Sequence, residues 1–190
     1  MSLRLFAFAA LAFSLPLAAE PIVFTLDPAQ TQVHFTLGTL LHTVHGSFQL
    51  EKGTVSFDPA SGQALGEVIV NAATGDSGNT SRDSRMHKSI LESAKFPRIV
   101  FRPDRIDGQL PDHGSSTLQV HGTLSIHGAD HELTVPVELQ TGPDQPSAVL
   151  RFTIPYVQWG MKNPSTLFLR VNDKVDIEIQ AAGRFSPPRS

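Results

Sequence analysis

Seven basic residues crowd one short span: Arg82, Arg85, Lys88, Lys95, Arg98, Arg102 and Arg105, nearly half of the chain's 15 Lys and Arg. Only Asp83, Glu92 and Asp104 oppose them there. On a helix, Arg82 and Arg85 share a side. Guanidinium groups beside a helix N-terminus suit a phosphate or another anionic headgroup. Lys88, Lys95 and Arg105 read as a solvated face. The eight histidines raise a different chemistry. His42-x-x-His45 and His127-x-x-x-His131 have spacings found in metal sites. On a strand, however, positions i and i+3 face opposite ways, and His127 and His131 flank a predicted turn. With no cysteine and no clustered carboxylates to complete a shell, neither a metal nor a cofactor is expected. A serine hydrolase would need a G-x-S-x-G elbow, which the sequence lacks. Asp27 and Asp83 are explained as turn and cap residues. No catalytic residue emerges, so the expected role is not enzymatic.

The elements that position these residues are strands. Val33, Phe35 and Leu37 alternate with His34 and Thr36, and Val44, Gly46, Phe48 and Leu50 with His45, Ser47 and Gln49. The same period-two pattern runs through Val55–Phe57, Val68–Ala72, Leu118–Ile126, Leu133–Leu139, Leu150–Ile154 and Val175–Ile179. Gly, Pro, Asn or Asp bounds each run, as expected for a sandwich or an up-and-down barrel. His127 to Asp130 reads as a hairpin turn and Thr141 to Pro146 as a longer loop. Glycines 46, 53, 66 and 122 mark places for a bulge or sharp coiling. One segment departs from alternation. Met86, Ile90 and Ala94 recur at helical spacing, Ser81 is placed to cap, and Asp83 falls in the first turn. An amphipathic helix over 81–94 is therefore expected, stopped by Phe96-Pro97. Its narrow apolar face should lie against the barrel rather than inside it.

Alternation assigns one set of side chains to the interior: Val33, Phe35, Leu37, Phe48, Leu50, Val68, Val70, Leu124, Ile126, Val135, Val137, Phe152, Ile154, Val175 and Ile177. A barrel of about eight strands is either filled by its own side chains or holds one small ligand, and the pattern alone leaves both open. For the polar end of such a cavity the candidates are Arg82, Asp83, Arg85, Tyr156 and Trp159. The last two are amphipathic and suited to a cavity mouth.

Arg82-Asp83-Ser84-Arg85-Met86-His87-Lys88, followed by Phe96-Pro97-Arg98-Ile99-Val100-Phe101, resembles the central signature of the YceI-like family. Leu26-Asp27-Pro28 through Val33-His34-Phe35 resembles its opening strand. Gly122-Thr123-Leu124-Ser125-Ile126-His127-Gly128 resembles its hairpin, and Trp159-Gly160-Met161 its closing aromatic-Gly element. Two departures bear on the headgroup: Arg85 stands where many members have histidine, and Lys162-Asn163-Pro164-Ser165 lengthens a loop. The resemblance implies an all-β, lipocalin-like antiparallel barrel that encloses a polyisoprenoid or similar lipid, usually in the periplasm and without catalysis.

Residues 1–19 read as a secretory signal. Arg4 precedes an apolar run from Leu5 to Leu15, Pro16 breaks it, and Leu17-Ala18-Ala19 offers small residues before Glu20. The run is too short to span a bilayer, and no cysteine follows for a lipid anchor. The barrel domain is expected over 20–185 and a frayed tail over 186–190. Periplasmic or secreted placement follows. The net charge of -3 and the scarcity of aromatics among the basic residues argue against nucleic acid. The expected partner is an isoprenoid-like lipid. A transient membrane or membrane-protein contact and a homodimer are both compatible with it. The competing reading is a stress-linked periplasmic enzyme or metal-dependent protein acting on small molecules.

Overall fold

Alternation becomes strand after strand: β1 (Ile22–Leu26), β2 (Gln32–Gly38), β3 (Thr43–Phe57), β4 (Ala64–Asp76), β5 (Arg98–Asp107), β6 (Gly114–Ile126), β7 (Ala129–Thr141), β8 (Ser147–Ile154) and β9 (Val175–Ser186). This is the architecture of a computed structural model that describes residues 21–142, 145–167 and 169–186. In β7 the pattern is plain: Val135, Val137 and Leu139 are buried, while Thr134, Pro136, Glu138 and Gln140 are exposed. Successive side chains of a strand point to opposite faces, so one row faces the core and the other solvent. The expected signal over 1–19 lies outside the described residues, and so does the expected tail except for Ser186, which is not frayed but ends β9 paired with Val23.

Neighbouring strands pair antiparallel around the wall in the order β1-β3-β2-β9-β8-β7-β6-β5-β4, and β3 also pairs with β4, which closes the sheet. The two first strands share one place in that wall. β2 pairs with residues 43–48 of β3 and β1 with residues 54–57. On β9, β2 takes residues 176–180 and β1 takes 183–186. Between them the chain turns at Asp27, whose N–H donates to the Ala182 carbonyl at 2.8 Å and whose carboxylate accepts from the Ala29 N–H at 2.9 Å. The nine strands among the described residues therefore fill the eight positions of a closed antiparallel barrel, the fold class expected from the sequence.

Register is adjusted by bulges. β3 shifts against β4 between Ser47 and Gln49 and again between Leu50 and Lys52. A bulge adds one residue and reverses which parity faces inward. Phe48 and Leu50 point in before the second shift, and Val55 and Phe57 after it. A third shift lies between Pro103 and Arg105, opposite Gly122. The β6–β7 hairpin keeps one register from Gly114↔Thr141 to Ile126↔Ala129. It turns through His127 and Gly128, at φ 53° and 78°, the left-handed pair that a two-residue hairpin turn needs. β7 and β8 stay together only over Val137–Gln140 and Ser147–Leu150, so Pro136 sits where their ladder ends. Proline has no N–H to give a ladder and belongs at such an edge.

Helix α1 (Thr80–Arg85) and a π-turn over Met86–Ile90 join β4 to β5. Three details differ from expectation. The cap is Asn79, not Ser81: its side chain accepts from the Arg82 N–H at 3.0 Å. The helical run also stops earlier than Ala94, because Glu92 adopts φ 47° and its carbonyl takes the N–H groups of Lys95 and Phe96. Finally, the segment lies across one end of the barrel, and its apolar side faces inward. The π-turn bond from the Leu91 N–H to the Met86 carbonyl, 2.8 Å, sets those two residues over one another. His87 fastens the segment to β4. Its Nε2 meets the Gly75 carbonyl at 2.9 Å, and its Nδ1 the buried Ser93 hydroxyl at 3.2 Å.

Gly46 shows how tightly this end is drawn. A Cβ there would collide with the Phe35 ring and the Asp76 carbonyl oxygen. Phe35 in turn packs on Phe48 with ring centroids 5.4 Å apart. Gly46→Ala is expected to lower stability by about 1–3 kcal/mol. Urea unfolding followed by tryptophan fluorescence would measure it, and an unchanged midpoint would contradict the close approach.

Candidate ligand-binding site

The barrel is not filled by its own side chains. A cavity of about 690 Å³ runs through it, with residues of all nine strands in its wall. At the end away from α1 it is bounded by Phe57, Ile106, Leu110, Leu118, Leu139 and Phe185, part of one core cluster. At the other end, α1, the π-turn and the loops around 39–42 and 161–171 surround it.

Of the side chains that alternation placed inside, Val33, Phe35, Leu37, Phe48, Val68, Val70, Leu124, Ile126, Val135, Val137, Phe152, Ile154, Val175 and Ile177 line this cavity. Leu50 does not. It is buried in a wall cluster with Val33 and Val70, against which Phe48, Val68 and Ile179 pack, so its neighbours cover it. The lining extends further than the sequence list, to Phe24, Phe101, Met86, Ile90, Leu91 and Met161 among others. β1 is short and the helix was expected against the wall, so neither carried a signal for the interior.

Polarity is distributed unevenly. Thr39, His42, Ser77, Asn79, Ser81, Arg82 and Arg85 are polar members of the lining. They all come from the β2–β3 tip or from the segment that opens α1. Tyr156 also lines the cavity, but its hydroxyl is committed: it donates to the Asn172 carbonyl at 2.6 Å. Burial, and secondarily the nearby Asp173, pushes this phenol up to about 12, so it stays protonated and donating. The long middle of the cavity is apolar. Ordered water needs two or more polar partners, so the favourable occupant of that stretch is hydrocarbon.

The two arginines at this end differ. Arg82 donates from Nε to the Ser77 hydroxyl at 2.7 Å and from Nη2 to the Ser77 carbonyl at 2.6 Å. Asp83 accepts from the Ser77 N–H at 2.9 Å and from the Ser77 hydroxyl. Burial raises the Asp83 pKa, but the two Ser77 hydrogen bonds, the Arg82 charge and the Asn79 N–H outweigh it and hold the carboxyl below its ordinary value. The folded carboxyl thus binds its proton less readily than the unfolded one. Its contribution to stability is present above the ordinary Asp range and is lost as pH falls through the depressed folded value. Arg85 is exposed, and its guanidinium makes one long contact, 3.4 Å, to the Pro164 carbonyl. Of the pair it is the freer charge at the mouth. Ser77 and Asn79 were missed as site residues. The turn-forming run Asp76-Ser77-Gly78-Asn79 before the helix was the available signal.

Two headgroup candidates are not in the lining. Asp83 is turned toward Ser77. Trp159 stacks flat on His131, with centroids 4.0 Å apart and planes at 6°, and packs beside Met161 and Tyr156. β7 and β8 are no longer paired there, and the indole lies against β7 rather than in the cavity lining. His127 packs on Phe96 at 5.0 Å, and His45 bonds Thr36 at 3.1 Å on the outer face. His42 stands apart from His45, at the mouth.

Two curated relatives are similar over about two thirds or more of the chain. A UPF0312 protein of Vibrio parahaemolyticus is 26% identical over 142 residues, 72% of this chain and 73% of its own. One from Vibrio cholerae is 27% identical over 131 residues, 66% and 67%. Among solved structures, Burkholderia cenocepacia BcnA superposes with a TM-score of 0.67 at 19% identity, over 83% of this chain and 98% of its own. A polyisoprenoid binding domain from Saccharophagus degradans superposes with a TM-score of 0.63 at 14% identity, over 84% and 97%. At these identities the structures establish a shared fold. Residues 24–182 match the YceI-like domain, a span that takes in the barrel from β1 to β9, and the chain belongs to the YceI-like family.

Proposed function

We propose that the protein binds one long apolar lipid, a polyisoprenoid or isoprenoid-quinone-like chain, and serves as a periplasmic carrier or store rather than as an enzyme. The observation that carries this reading is the one-sided polarity of the cavity. An apolar tunnel of about 690 Å³ leads to a mouth where Thr39, His42, Asn79 and Arg85 gather. That arrangement suits a molecule with a hydrocarbon tail and one polar end. Predominantly apolar pockets with a few convergent polar groups are the usual ligand sites. The Saccharophagus degradans domain, named for polyisoprenoid binding, shares the fold and supports the choice of lipid class. Export through the segment at 1–19 accounts for the periplasmic setting.

Native mass spectrometry of protein purified from its own host is expected to show one bound lipid per chain, released on denaturation. Protein carrying a stoichiometric metal and no lipid would overturn the reading in favour of small-molecule chemistry.

The arginines should separate in function. Arg82→Ala removes charged hydrogen bonds to Ser77 and is expected to cost about 1.5–3 kcal/mol of stability, read as a lower unfolding midpoint. Arg85→Ala should leave stability within about 0.5 kcal/mol. It should weaken an isoprenyl phosphate by about 0.5–1.5 kcal/mol, because the charge is exposed and screened. A neutral isoprenoid should be little affected. Equal loss for the two ligands in a fluorescence titration would show that Arg85 reads no charge.

Exported protein should begin at Glu20. N-terminal sequencing of the periplasmic fraction checks this, and a start at Met1 would contradict it.

A further inference from the structure

Four large apolar side chains are strongly exposed among the described residues: Leu40, Leu41, Leu65 and Leu167, at 71%, 75%, 72% and 97%. Single exposed leucines are ordinary, and Leu65, at the start of β4, is one. The other three share one place. Leu40 and Leu41 form the β2–β3 tip, where the Leu40 N–H donates to the Arg170 carbonyl at 3.0 Å and Thr39 bridges to Val171. Leu167 sits in the adjoining turn, closed from the Thr166 N–H to the Leu169 carbonyl at 2.9 Å. The backs of these same tips, through Thr39, His42, Leu169 and Val171, line the cavity mouth. The leucines therefore rim the opening from outside. Beside them Lys162, Arg170 and Lys174 are exposed on the late loop, with Asp173 as its acidic residue, and Arg85 reaches that loop at Pro164.

We propose that this rim docks on an anionic phospholipid bilayer. The three leucines enter the boundary between headgroups and acyl chains, and the basic residues meet the lipid phosphates. Apolar side chains flanked by Lys and Arg bind such surfaces by burial together with charge attraction. The inference rests on the reading that the cavity takes a lipid: the docked mouth lets the chain pass between bilayer and barrel without crossing water.

The test is flotation of the protein, produced from the full chain and purified with its N-terminus sequenced, with phosphatidylcholine vesicles containing or lacking phosphatidylglycerol. The parent is expected to float with the phosphatidylglycerol vesicles and to be released by salt. The triple variant Leu40→Ser, Leu41→Ser, Leu167→Ser should bind about tenfold or more weakly, with an unchanged melting temperature. Lys162→Glu with Arg170→Glu should lose the preference for phosphatidylglycerol. Absence of parent binding, or equal binding by the triple variant, overturns the proposal. So does a parent that ignores vesicles and is dimeric while the triple variant is monomeric, which would assign the rim to a second copy of the chain. Native mass spectrometry of the same samples keeps the two readings apart. Bound lipid without vesicle binding removes the docking surface alone. Vesicle binding without bound lipid leaves the docking surface and removes the cavity reading.

Discussion

Closure of the sheet is the constraint on which everything else depends. A strand edge carries unpaired N–H and C=O groups, and here β3 satisfies them by pairing with β2, β1 and β4 in turn. Once closed, the wall has one inner row per strand, and that row must be apolar along its whole length. β3 meets this demand over fifteen residues only because the register shift between Leu50 and Lys52 moves its inward face from even to odd positions. The same closure fixes the diameter. Eight positions are wide enough for an interior that medium-sized side chains such as Val, Leu and Ile do not fill.

The helical segment answers a second demand of the barrel, which is that its ends be managed. One end is packed by the cluster around Phe57, Leu118 and Leu139. The other is spanned by α1 and the π-turn, held by Ser77, Arg82, Asp83 and His87. In that cluster Ser77 is the hub: its backbone, its carbonyl and its hydroxyl all engage the Arg–Asp pair. The pair thus shapes the mouth, and Arg85, one turn on, is the freer charge there.

Much of this was legible in the sequence, because alternation is a local signal. It located β2 to β4 and β6 to β9, the His127-Gly128 turn and the middle of the lining, but not β1 or the part of the lining that α1, the π-turn and the late loop supply. Leu50 was assigned to the lining although its neighbours cover it, because parity tells only which way a side chain points. Asn79 escaped because Ser81 is an equally acceptable cap, and the choice is settled by where β4 ends. Trp159 was assigned to the mouth wrongly for a non-local reason. Its partner is His131, on a strand far away in the chain, exposed to it by the parting of β7 and β8 at Pro136. The Arg–Asp signature was readable as a motif, but its hydrogen bonds to a serine before the helix were not.

A hollow interior also changes what mutation does to this protein. In a close-packed core, enlarging a side chain forces strain and trimming one opens a void. A side chain such as Ile177 or Val135 already borders open space on one side, so added or removed methyl groups mainly reshape the cavity. The wall residues are thus uncoupled from much of the penalty that holds ordinary cores constant. Pocket length and girth can therefore change by substitution while the hydrogen-bonded barrel stays put.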